Sequence, residues 1–311
     1  MLQRVAMEAK YRKLRAQLRH ARWRVGPPSV ELLLEGRARF EAMGDLVGVP
    51  EGAECTPVDA GGVPAEWTSV QTSDPERVLL YLHGGGYAMG SVNASRKGLT
   101  QFVEASGLTG FNVDYRLAPE DPFPAAVDDA VAAYRWLVRH VPPERIVLLG
   151  ESAGGGLAIA ALVALRDAGD PLPAGAATVS AWADLSLSGD SYRRNARRDL
   201  ALHPVRLGFA AQQYLAGADP RHPLASPVYA DLSGLPPLLL LASRDEIVTD
   251  DTLTLARRVT AAGGHAEVLL APRMLHCWTG YCDMVHRAAG DVAALGRWLA
   301  ARAGATAPTP R

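Results

Sequence analysis

The chain has 311 residues, of which 48% are hydrophobic and 21% charged, and its formal net charge is −1. That balance is ordinary for a globular protein and gives no general electrostatic drive toward nucleic acid or a membrane surface. No apolar run approaches the roughly 20 residues that a membrane-spanning helix needs. The three cysteines, Cys55, Cys277 and Cys282, are too few for a disulfide framework or a metal cluster. They fit reduced thiols in a cytoplasmic protein with no metal.

The N-terminal stretch from Met7 to Val25 is rich in Lys and Arg and lacks the continuous apolar run of a secretory signal. Tyr11, Leu14, Leu18 and Ala21 recur at three- and four-residue spacing, which predicts an amphipathic helix. Pro27-Pro28 ends it, and Ser29 is placed to cap a second helix over Val30 to Met43. Short alternating stretches from Glu54 to Val70 predict antiparallel edge strands.

From Val78 onward, strand and helix patterns alternate. Strands are expected at Val78, Phe111, Ile146 and Ala176, with helices near Ser95 to Ala105, Ala125 to Arg139 and after Ser152. This rhythm requires a mostly parallel sheet with right-handed crossovers. After the first of these strands comes His83-Gly84-Gly85-Gly86, a run of backbone N–H groups with no side chains in the way. No Gly-Lys-Ser/Thr follows it, so it is not a P-loop. His83 is expected to hold the loop. The strand ending at Val113 leads into Asp114-Tyr115-Arg116-Leu117-Ala118-Pro119-Glu120, which its prolines keep out of helix. Here Arg116 is expected to form a structural ion pair with Asp114 or Glu120. The alternative is that it binds a substrate carboxylate.

Gly150-Glu151-Ser152-Ala153-Gly154 has the form G-x-S-x-G, between the apolar run Ile146 to Leu149 and a good helix former. Strand, tight turn and helix make the setting of a nucleophile elbow, with Ser152 as the nucleophile. A serine hydroxyl needs a base and an oxyanion site. The N–H groups of Gly84, Gly85 and Ala153 are the candidate oxyanion donors. In an α/β-hydrolase the chain order is serine, then acid, then histidine. The strand Leu238 to Ala242 leads into Ser243-Arg244-Asp245-Glu246, so Asp245 is taken as the acid, with Glu246 its nearest rival and Asp250 and Asp251 further away. Of the later histidines, His265 precedes its strand and His286 falls in the last helix. His276 lies in the loop beyond the strand Ala266 to Leu270, at the edge that carries Ser152, and is taken as the base.

Taken together, these motifs make the chain resemble the hormone-sensitive-lipase-like family of carboxylesterases, within the α/β-hydrolase fold. The resemblance runs from about Val63 to about Trp298 and also rests on Pro122-Phe123-Pro124-Ala125-Ala126. It implies an α/β fold with a mostly parallel central sheet, esterase chemistry through Ser152, His276 and Asp245, and a helical cap. No cofactor is implied. The departures, Asp121, Ala181-Trp182 and Cys277-Trp278, leave the mechanism alone and bear on substrate identity.

Residues 1–50 are accordingly read as an N-terminal cap segment whose first helix covers the mouth of the site. A solvated basic helix, a dimer contact and a membrane-surface helix are the alternative readings. Residues 51–302 form the catalytic domain, with a cap insertion near 184–220, and 303–311 are expected to be a disordered tail. Within the insertion, Arg193, Arg194, Arg197 and Arg198 form a solvated face, or alternatively a patch for an acidic partner. Tyr87, Met89, Trp182, Tyr214 and Trp278 are candidates for an apolar pocket wall, with core packing as the competing reading. The expected substrate is a small ester with a short- to medium-chain acyl group. The same triad also suits a lactone, amide or thioester hydrolase or an acyl transferase, and a dead-site receptor is the distant alternative. A homodimer is a family-level expectation, through an edge strand near Pro237 to Ala242 or Ala266 to Leu270.

Overall fold

The structure is a computed structural model that describes residues 2–21, 26–282 and 284–308. Two helices come first, α1 (Leu2–Ala21) and α2 (Val30–Val47), the second capped by the Ser29 hydroxyl, which accepts from Leu32 N. The expected extension of the first helix to Val25 falls outside the described residues. The strands β1 (Ala53–Asp59) and β2 (Pro64–Val70) are the antiparallel pair that the alternation predicts. There follow β3 (Asp74–Leu82), α3 (Val92–Ser106), β4 (Leu108–Val113), α4 (Ala125–Leu137), β5 (Ile146–Glu151), α5 (Ala153–Asp167) and β6 (Gly175–Val179). Two helices, α6 (Asp190–Arg194) and α7 (Pro204–Leu215), interrupt the rhythm before β7 (Leu238–Ser243), α8 (Thr249–Ala261), β8 (Ala266–Ala271) and α9 (His286–Arg302).

The eight strands form one sheet in the order β1-β2-β4-β3-β5-β6-β7-β8, with β2 antiparallel to both neighbours and the rest parallel. Period-two alternation sends neighbouring side chains to opposite faces. Val78, Leu80 and Leu82 of β3 enter a core shared with α4, α5, α7 and α8, whereas Leu79 and Tyr81 enter a second core with α3, α9 and Tyr11 of α1. This is the α/β-hydrolase architecture. It brings the carboxyl ends of β3, β5, β7 and β8 to one edge of the sheet.

Three expectations change here. β7 is paired on both sides, by β6 and β8, so Pro237 to Ala242 cannot offer a dimer edge; β8 is one of the two end strands of the sheet, with β1 the other. The segment after α9 is not loose as far as residue 308. Ala303 is buried, its carbonyl accepts from Arg77 Nε at 3.0 Å, and Pro308 packs at Gly107. Arg116 pairs with neither Asp114 nor Glu120. It makes a fork to Asp129 of α4, with Nη2 to Oδ1 at 2.7 Å and Nε to Oδ2 at 2.9 Å, because α4 folds back over the segment. The role is structural as expected, but with a partner that sequence proximity does not suggest. Glu120 is held instead by Arg37 of α2, and Asp114 accepts from Val92 N at the start of α3.

Candidate active site

β5 delivers Ser152 into a turn with φ 54° and ψ −119°, in the region that disfavours side chains bearing a Cβ. The turn closes only because its neighbours are glycine. A Cβ on Gly150 would collide with the Gly154 carbonyl, and one on Gly154 with the Leu82 carbonyl. The bonds Ser152 N to Val179 O (2.9 Å) and Trp182 N to Ser152 O (2.9 Å) lock the turn to β6 and the loop after it. Ala153 opens α5, so its N–H has no partner within the helix and lies at the positive end of the helix dipole. The His83–Gly86 loop is in direct contact with the elbow: a Cβ on Gly84 would stand 3.2 Å from Ser152 Cβ. His83 holds that loop, as expected. Its Nδ1 bonds Gly84 O at 2.9 Å, its ring stacks on Tyr115 with centroids 4.2 Å apart, and burial pushes its pKa down.

The histidine loop after β8 brings His276 Nε2 to 2.8 Å from Ser152 Oγ. On the other side of the ring, Nδ1 meets Glu246 Oε2 at 3.2 Å. The carboxylate behind the His276 ring is therefore that of Glu246, and the expectation that Asp245 stands there is corrected. Asp245 is half-buried, and among the described residues its only hydrogen bond runs from its backbone N–H to Ser243 Oγ. Adjacent residues in the turn after β7 point in different directions, and the second of them faces inward. Glu246 is 1% exposed, and its other oxygen, Oε1, accepts from Ser180 Oγ and Ser243 N, both at 2.9 Å. Asn195, from the segment after α6, clamps the turn by donating to the carbonyls of Arg244 and Glu246. Ser180 Oγ, Ser243 N and the His276 ring thus hold the Glu246 carboxylate in a single orientation, while Asn195 fixes the backbone that carries it.

Sequence reading missed these supports. Ser243 stood beside the acid and carried a signal. Ser180 and Asn195 are far away in the chain and carried none. Nor did it assign Glu151, whose carboxylate accepts from Tyr81 Oη at 2.5 Å and from Thr279 Oγ1 at 2.9 Å, tying the elbow to the segment three residues past His276. Burial raises the Glu151 pKa against those two hydrogen bonds.

Four of the five pocket candidates do not line an open wall. Tyr87, Trp182, Tyr214 and Trp278 are each no more than 1% exposed. Tyr87 and Tyr214 stack with centroids 3.9 Å apart and Trp182 tilts against Tyr87, so the three form a packed pile beneath the glycine loop. Trp278 belongs to the other core and donates from Nε1 to Asp291 of α9 at 2.9 Å. Large aromatic faces gain most when fully desolvated, and the competing reading, core packing, holds for these four. Met89 alone is half-buried, with its sulfur close to Gly36 of α2. The arginines after Gly189 are a solvated face with local partners: Arg193 pairs with Asp190, and Arg194 with Asp190 and Asp250.

The electrostatics of the site favour a charged ring. Burial pushes the His276 pKa down, but the adjoining Cys277 sulfur and the hydrogen-bonded Glu246 carboxylate push it up, and the balance lies well above the ordinary value. Burial itself raises Glu246, offset in part by His276. An imidazolium cannot accept the Ser152 proton. Accordingly, kcat/KM should fall on the acid side as pH drops through the His276 pKa, with a midpoint above the ordinary histidine value of about 6.5. A pH–rate profile of kcat/KM with its acid midpoint below that value would contradict this assignment of charge.

A strained serine at a strand-to-helix turn, a histidine within reach of it and a buried carboxylate behind the histidine define a serine hydrolase site on an α/β-hydrolase sheet. The family described as having the alpha/beta hydrolase fold matches residues 79–280, and the chain belongs to it, within the hormone-sensitive-lipase-like carboxylesterases. The chain is similar to an acetyl-hydrolase of Streptomyces hygroscopicus, 48% identical over 242 residues that cover 78% of this chain and 79% of the relative. It is also similar to a solved esterase of the bacterial hormone-sensitive lipase family (TM-score 0.88, 39% identity, covering 94% of this chain and 97% of that one). A further solved structure, EstE5 soaked with p-nitrophenyl butyrate, gives a TM-score of 0.88 at 38% identity, covering 94% of this chain and 98% of the other. The protein is a carboxylesterase.

Proposed function

We propose that Ser152 is the nucleophile, His276 the general base and Glu246 its buried partner in an acyl-enzyme cycle on small carboxylic esters with short acyl groups. The single observation that carries the reading is the continuous chain from Ser152 Oγ to His276 Nε2 (2.8 Å) and from Nδ1 to Glu246 (3.2 Å). In this cycle His276 takes the serine proton as Oγ attacks the ester carbonyl, and the N–H groups of Gly84, Gly85 and Ala153 receive the oxyanion. Each good donor is worth about 3–4 kcal/mol. His276 then protonates the leaving alcohol, and water delivered through the same ring releases the acid. Glu246 holds the ring in the tautomer that leaves Nε2 free to accept.

The short acyl preference is supported by enclosure. Ser152 is only 7% exposed, α7 brings Ala210 up to Gly86, and the aromatic pile behind the loop is already filled. The similar acetyl-hydrolase and the butyrate-soaked neighbour point the same way. Helices α1 and α2, with the 184–220 insertion, are assigned as the cap. Among the described residues no disulfide joins Cys55, Cys277 or Cys282, in keeping with a reducing cytoplasm, and β8 is an end strand that can pair with a second copy of the chain. Among the described residues, no helix is long and apolar enough to cross a membrane.

The test is hydrolysis of p-nitrophenyl esters from acetate to laurate. The expected maximum of kcat/KM lies at acetate or butyrate, with laurate lower by about 100-fold, since methylenes beyond the enclosed site must displace packed side chains at a cost of about 1–3 kcal/mol. A maximum at laurate would overturn the short-acyl assignment. No turnover together with fluorophosphonate labelling of Ser152 would redirect the substrate to lactones, amides or thioesters.

A further inference from the structure

The loop that carries His276 is costly to hold. Arg273 (φ 58°) and Cys277 (φ 49°) both occupy the left-handed region, on either side of the histidine, with no glycine to ease either position. Such backbone persists only where surrounding contacts over-determine it. Two of those contacts come from strand ends of the catalytic domain. Ser243 Oγ accepts from Met274 N at 3.2 Å and donates to Met274 O at 2.9 Å, and Ser180 Oγ accepts from Cys277 N at 3.1 Å. The others come from more than 250 residues away in the chain. Tyr11 of α1 is buried, and its Oη accepts from Leu275 N at 2.8 Å, the residue immediately before His276. One turn further along, Arg15 donates to Arg273 O, and its guanidinium lies 5.7 Å from the Tyr11 ring centroid. Leu275 is itself 2% exposed, so its N–H is left buried without an acceptor if the Tyr11 hydroxyl is removed while the ring stays packed.

We propose that Tyr11 is a positioning residue for catalysis, acting through the Leu275 N–H to set the His276 ring in line with Ser152. The N-terminal helix then does more than cover the site: its docking and the alignment of the base are one event. An esterase with α1 lifted away would have its triad residues present but its base misplaced. The inference rests on His276 being the base.

The experiment compares full-length wild type, Tyr11→Phe, Arg15→Gln and His276→Ala on p-nitrophenyl butyrate. Each folded preparation is checked by its thermal transition, and active sites are titrated where the serine still reacts. Phenylalanine keeps the ring packing and removes only the acceptor. Tyr11→Phe is expected to lower kcat per active site by between about tenfold and a hundredfold, the range for a displacement of order 1 Å, with KM changed less than about twofold. The rate of fluorophosphonate labelling should fall by the same factor. Arg15→Gln, at a half-buried position, should lower kcat in the same sense by a smaller factor. Unchanged kcat per active site in both variants, with only the thermal transition lowered, would reduce Tyr11 to a packing residue and overturn the proposal. An increase in KM at constant kcat would also overturn it, by making Tyr11 a cap contact for substrate. His276→Ala separates the two levels: if it keeps wild-type kcat, the triad reading fails. If it is inactive while Tyr11→Phe is normal, only the role of Tyr11 fails.

Discussion

Glu246→Gln is expected to lower kcat/KM by about 10⁴-fold, whereas Asp245→Asn changes it by no more than about twofold. The reason lies in hydrogen-bond polarity. Glu246 Oε2 can only accept, so it draws the proton to His276 Nδ1 and leaves Nε2 bare toward Ser152 Oγ. The glutamine amide can present N–H to Nδ1 and stabilise the tautomer whose Nε2 is already protonated. Packing is kept, because the two side chains have the same shape and Ser180 and Ser243 still have an oxygen to donate to. Loss of the carboxylate also removes one of the influences that hold the His276 pKa up, so the residual activity should have its acid limb at lower pH than wild type. The half-buried Asp245 has no side-chain partner among the described residues, which is why its substitution is expected to be silent. Parallel kcat/KM and pH profiles of the two variants decide the matter. If Asp245→Asn is the damaging one, the acid assignment is reversed.

Ser152→Ala should remove about 10⁵- to 10⁶-fold of kcat and all fluorophosphonate labelling, and His276→Ala should fall in the same range. The double variant should be no worse than either single one, since the hydroxyl and the base act as a unit and either loss ends proton transfer across the 2.8 Å contact. Alanine also relieves nothing at the turn. The φ of 54° is imposed by the elbow and not by the hydroxyl, so the thermal transition should stay close to wild type. Rates for the two single variants and the double one, each against the uncatalysed hydrolysis, check this. Strict multiplication of the two losses would mean that Ser152 and His276 act independently, contrary to the proposed cycle.

Much of the molecule can be read along the chain because the signals are local. Val78 to Leu82 and Ile146 to Leu149 are apolar runs too short for a helix and followed by glycine turns, which reads as buried strand. Gly150 and Gly154 are needed wherever a serine turn closes this tightly, and loops after strands in a parallel sheet must lie on one edge. Those rules place Ser152, the glycine loop and His276 at one edge from the sequence alone, and strand and helix order defines the fold. The choice between Asp245 and Glu246 was not local. Both residues follow β7, and which one faces inward depends on how Ser180, Ser243 and Asn195 grip the turn from other parts of the chain. The same holds for Arg116, whose partner Asp129 arrives only when α4 folds back. It holds for the aromatic residues too, whose bulk and polarity suit a pocket wall and a core equally until packing decides. Tyr11 is the clearest case. Its spacing predicts a buried helix face, but its bond to Leu275 joins the first turns of the chain to its last catalytic loop. Hydrogen-bond partners at such separations are set by three-dimensional closure, for which a linear pattern carries no term.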